Sequence, residues 1–99
     1  MHINLKTGEK LFSIVPRKNV KILFKEISKQ FEIVRKLNNE VVGTVGYWRV
    51  DIYFRRKQIV SATKLLRIPA ENDFEYDYKV AKMIEGITGD TEIVRKYDY

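Results

Sequence analysis

Apolar positions change their spacing several times along the chain, and each change marks an expected element boundary. Ile3 and Leu5, then Leu11, Phe12, Ile14 and Val15, flank the polar run Lys6 to Lys10, whose Gly8 suits a tight reversal. The pattern predicts an N-terminal hairpin whose second strand ends at Pro16. Beyond Pro16 the spacing lengthens. Val20, Leu23, Phe24, Ile27 and Phe31 fall on one helical stripe, Lys18, Lys21, Lys25 and Lys29 lie largely off it, and Asn19 is placed to cap the start. An amphipathic helix with a lysine-rich outer face is expected, ending near Lys29 or, since Val34 and Leu37 prolong the stripe, near Leu37.

An internal repeat favours the shorter helix. Val20 to Lys36 and Val80 to Lys96 share seven of seventeen positions, including Glu32 to Lys36 against Glu92 to Lys96. In the second copy Gly86, Gly89 and Asp90 interrupt any helix, so Glu92 to Lys96 reads as a fresh, β-branched strand. Glu32 to Leu37 is then a strand by analogy. Between the copies, Glu40 to Phe54 is the strongest strand signal, with Ile59 to Ile68 its expected antiparallel partner, ending at Pro69. A second helix is expected from Asn72 or Asp73 to about Gly86, presenting Phe74, Tyr78, Ala81, Ile84 and Ile87 inward. Acids in its first turn suit the helix dipole. Thr91 to about Asp98 closes the chain as a strand.

The order β-β-α-β-β-β-α-β describes one α+β domain over residues 1–99. It is a two-layer sandwich, with a largely antiparallel sheet of five or six strands and two helices packed on one face. The repeat implies two β-α-β halves of ferredoxin-like character, with the 40–68 hairpin inserted between them.

Composition narrows the chemistry. The 99 residues include no Cys and a single His, His2, so thiol catalysis, zinc fingers, a His-based triad and a multi-His metal site within one chain are excluded. There is no Gly-rich phosphate loop, and the carboxylates fall in no recognised metal spacing. A non-enzymatic protein without cofactor is expected. With no apolar run near the ~20 residues of a bilayer span and no signal-peptide pattern, an intracellular, cytoplasmic protein that engages no membrane is expected. The high charge content leans toward a thermostable chain.

Charge is unevenly spread. Residues 1–68 carry 15 Lys/Arg against 5 Asp/Glu, whereas residues 69–99 carry 4 against 8. Strand alternation sends Trp48, Val50, Ile52 and Phe54 to the core. Tyr47, Arg49, Asp51, Tyr53, Arg55 and Lys57 go to the other side, joined from the partner strand by Thr63, Leu65 and Arg67. Tyrosines interleaved with arginines suit single-stranded nucleic acid, rings stacking on bases and guanidinium groups meeting phosphates; they suit a protein interface equally. The tip Arg55, Arg56 and Lys57, and Lys21 and Lys25 of the first helix, add charge of the same sign.

Two families share parts of this order. The α-β-β-β-α run from about 18 to 87 resembles a double-stranded-RNA-binding domain in topology, but Glu71, Asn72 and Asp73 stand where that family needs a basic helix start. Duplex RNA is excluded on that ground. The β-α-β halves resemble ferredoxin-like RNA-recognition domains, yet Tyr47 to Phe54 lacks their Gly-rich aromatic signature. The expected function is a small basic binding protein that contacts nucleic acid, single-stranded or without sequence preference. The contact residues would be Tyr47, Arg49, Tyr53, Arg55, Arg56, Lys57, Arg67, Lys21 and Lys25. The alternative is an accessory or inhibitor protein, of the kind encoded by viruses and mobile elements, that binds a host protein. An open sheet face also makes a homodimer plausible.

Overall fold

Two long strands that turn alternate side chains inward, and one helix laid across that inward face, account for the architecture. A computed structural model describes residues 4–6, 10–17, 19–36, 38–54 and 60–89. The elements are β1 (Asn4–Lys6), β2 (Leu11–Arg17), β3 (Val20–Arg35), β4 (Val41–Phe54), β5 (Val60–Ala70) and α1 (Asp73–Thr88). All pairings are antiparallel. β1 and β2 lie end to end along one edge of β3, so the five segments make a sheet four strands wide, in the order β1/β2, β3, β4, β5. Strands of 16 and 14 residues at about 3.3 Å per residue set the long dimension of a body measuring 49 × 23 × 19 Å.

The fold is α+β as expected, but the sheet is narrower than five or six strands, and the described residues contain one helix rather than two. The segment expected as the first helix is the continuous strand β3. Its residues fit both periods: Val20, Leu23, Phe24, Ile27 and Phe31 trace a helical stripe, while Val20, Ile22 and Phe24 alternate. Pairing decides between them. As a strand, Val20, Ile22 and Phe24 stand opposite Phe54, Ile52 and Val50 and all three are fully buried. Because Val20 to Arg35 is strand whereas Val80 to Thr88 is helix, the shared sequence does not produce two β-α-β halves. Residues 91–98, expected as a closing strand, lie outside the described residues.

The N-terminal hairpin is displaced as well. β1 and β2 are not paired with each other; both pair antiparallel with β3, and the Glu26 backbone N–H donates to the Lys10 carbonyl (2.9 Å), while Gly8 lies outside the described residues. The first hairpin is β2–β3, closing with Arg17 opposite Val20.

α1 begins where the sequence predicts. The Asn72 side chain accepts from the Glu75 N–H (2.8 Å), and Asp73 and Glu75 sit in the first turn. The inward stripe is rotated from the expected one, however. Tyr76 and Val80 are buried, with Met83, Ile84 and Ile87 packed against the core, whereas Phe74, Tyr78 and Ala81 face solvent. The Tyr76 hydroxyl sets this rotation by reaching polar partners inside the sheet, a role a purely hydrophobic count does not register. The helix covers the face carrying Val20, Ile22, Phe24, Trp48, Val50 and Ile52, and among the described residues no element covers the opposite face, the open face of the sheet. No described helix is long and apolar enough to cross a membrane.

Candidate functional site

The open face is built in rows by the register of β3, β4 and β5. Lys21 stands opposite Tyr53; Leu23 opposite Asp51 and Thr63; Lys25 opposite Arg49 and Leu65; Ser28 opposite Tyr47 and Arg67. Six of the nine residues expected to bind a partner, Lys21, Lys25, Tyr47, Arg49, Tyr53 and Arg67, are therefore neighbours on one surface. Arg55, Arg56 and Lys57 lie outside the described residues. Lys21 and Lys25 arrive there by strand alternation, not on a helix, and the loss of the first helix draws the site together. Lys29, counted with them by helical spacing, falls on the helix-covered side.

Two carboxylates divide this surface. Asp51 is buried and accepts from Arg49 Nε (3.0 Å) and Thr63 Oγ1 (2.7 Å). Glu32 accepts from the Tyr47 hydroxyl and from Gln30 Nε2 (2.6 Å), and its other oxygen lies 3.7 Å from Arg67 Nη2. The two guanidinium groups are thus aimed by acids of the same face while staying about half exposed. Lys21 extends over the Tyr53 ring, 5.9 Å from its centroid, and Lys25 forms no ion pair among the described residues. Four cations face two carboxylates, so the face is basic, but less so than Tyr and Arg positions alone suggest. Sequence reasoning placed Glu32 at the start of a separate strand, Glu32 to Leu37, and so missed it here, because it joins this face only through the pairing of one continuous β3 with β4.

An apolar hollow of about 210 Å³ opens on the same surface, lined by Ile27, Tyr47, Leu65 and Arg67 together with Trp48 and Leu66. It lies at the bulge where β3 shifts register between Glu26 and Ser28. Leu65, on the edge strand β5, is 72% exposed and forms the outer wall of this hollow.

A second polar cluster is sealed under the helix. Trp48 Nε1 donates to the Tyr76 hydroxyl (2.9 Å), which donates to Glu26 Oε2 (2.6 Å); Glu26 Oε1 has no hydrogen-bond partner among the described residues. Burial first, then the hydrogen bond to Glu26, push the Tyr76 hydroxyl well above the ordinary tyrosine range; the bond from Trp48 acts the other way. Lys29 and Lys10 extend over the Tyr76 ring at 4.7 and 5.7 Å, placing positive charge beside the cluster. The cluster is closed to ligands and serves to register helix on sheet.

The acids around the helix start are occupied by the chain's own cations: Arg35 with Glu71 (3.4 Å), Lys29 with Asp73 (3.8 Å), Lys10 with Asp77 (3.1 Å) and Lys79 with Glu75 (3.1 Å). Among the described residues no group of three or more His, Cys, Asp or Glu could hold a metal ion. The chain is thus an α+β protein whose antiparallel meander is covered on one side by its helix and, among the described residues, by no element on the other. No family model, curated protein or solved structure matches it.

Proposed function

We propose that the open sheet face is a binding surface for nucleic acid as an unpaired strand, and that the protein is a non-enzymatic binding module. The observation that carries this reading is the register that brings Lys21, Lys25, Arg49 and Arg67 together with Tyr47 and Tyr53 on one uncovered face. Cations answer phosphates, and rings and the exposed leucine answer bases. The sequence that follows Phe54, Arg55, Arg56 and Lys57, adds three positive charges of the same sign.

A second reading, a protein partner, is favoured by the pairing of Arg49 and Arg67 with carboxylates around an exposed Leu65, a mixture common in protein interfaces. Salt separates the two. Anisotropy titration of short labelled single-stranded DNA and RNA at two salt concentrations should show saturable binding that weakens steeply with salt. No binding at low salt removes the nucleic-acid reading and leaves the protein partner, to be sought by pull-down.

A further inference from the structure

The hollow between Ile27, Tyr47, Leu65 and Arg67 is separable from the charge of the face. Its lining is almost wholly apolar, and a row of cations runs along its side, since Lys25 and Arg49 stand in register with Leu65. Glu32 holds both the Tyr47 hydroxyl and the Arg67 guanidinium, so one wall is fixed before any ligand arrives. A preset wall lowers the ordering cost of binding. What fits is a ligand whose flat, weakly polar part sits within one side-chain row of its negative charge. Rows on one strand face repeat at about 7 Å, which suits the distance between a base and its own phosphate.

Resting on the nucleic-acid reading above, we propose that this hollow accepts one unpaired nucleobase, packed against Leu65 and Tyr47, while the adjoining phosphates lie over Lys25, Arg49 and Arg67. A duplex keeps its bases stacked inside and cannot fill the hollow, so the preference for unpaired strands originates here. Leu65 then sets base affinity, and the cations set the salt dependence.

The test uses the full chain with two fluorescent probes of equal length: oligothymidylate and an abasic strand with the same phosphates and no bases. The abasic strand should bind about tenfold more weakly, in line with the loss of one stacked base, with the same salt slope. Leu65→Ala should remove most of that difference while leaving the abasic strand's affinity unchanged. Leu65 is mostly solvent-exposed, so this variant keeps its core. Equal affinity for both probes overturns the base-accepting hollow and leaves the basic face standing. A Leu65→Ala variant that weakens both probes alike also overturns the hollow. Failure of both probes to bind at low salt overturns the hollow and the nucleic-acid reading together.

Discussion

Gly46 of β4 lies directly against Tyr76 of the helix: a Cβ at Gly46 would sit 1.8 Å from the Tyr76 hydroxyl and 2.5 Å from its Cζ. That hydroxyl cannot simply move aside, because it is held between Trp48 and Glu26. Gly46→Ala should therefore lift Tyr76 from its seat and destabilise the fold by about 1–3 kcal/mol, the range for overpacking a closed core. Urea denaturation measures it, and a loss within error of zero would mean the helix seats without this contact. At Gly43 the obstruction is the Ala70 carbonyl, 2.1 Å from an added Cβ, so the far end of the β4–β5 pairing is equally intolerant.

Removing only the hydroxyl tests the buried cluster. Tyr76→Phe leaves Trp48 Nε1 and Glu26 without their shared partner and should cost about 1–3 kcal/mol. The effect has a pH signature. Because the folded protein holds the Tyr76 proton above the ordinary tyrosine pKa of about 10, its contribution is complete below that pH and is lost as pH rises beyond it. The stability gap between the native protein and Tyr76→Phe should stay constant from pH 7 to 9 and shrink above pH 10, read by denaturation at each pH. A gap that widens above pH 10 contradicts the assignment.

The ion pairs around the helix start should matter little by comparison. Lys10–Asp77 and Lys29–Asp73 put the acid about two-thirds or more in solvent. Asp77→Asn should change stability by less than about 1 kcal/mol at moderate salt. A larger loss would assign these pairs a part in docking the helix that the buried tyrosine is argued to hold.

Much of this arrangement was legible in the sequence. The alternation of Tyr47 to Tyr53, the partner strand ending near Pro69, the helix start at Asn72 or Asp73 and the Tyr/Arg face were readable from period and from the acids of the first turn. The misreading of Val20 to Phe31 has a specific cause: Glu26, a charged residue in the inward row, broke the period-two pattern, while Leu23 and Ile27, apolar residues in the outward row, completed a helical one. Only Tyr76, fifty positions away, explains why a glutamate is buried there. Phe74 and Tyr78 were placed inward for the same reason, since apolar count cannot sense a hydroxyl seeking a partner. The repeat shows how strongly tertiary pairing overrides local sequence.

Asp51 supplies a test of opposite sign. It neutralises Arg49 on the open face, so Asp51→Asn adds one net positive charge beside the phosphate path. Binding to oligothymidylate should tighten severalfold at low salt, with a steeper salt dependence. Weaker binding would mean that orientation of Arg49 by Asp51 counts for more than the added charge.

The most direct measurement compares the native protein with the Lys25→Ala, Arg49→Ala double variant, titrating oligothymidylate across a range of salt concentrations. Each phosphate contact contributes about 0.7 to the slope of log affinity against log salt on single strands, so the double variant should lose about 1.4 from that slope and bind more weakly at low salt. An unchanged slope, or native protein that does not bind the strand in a saturable way, would contradict the claim that this open face reads a phosphate backbone.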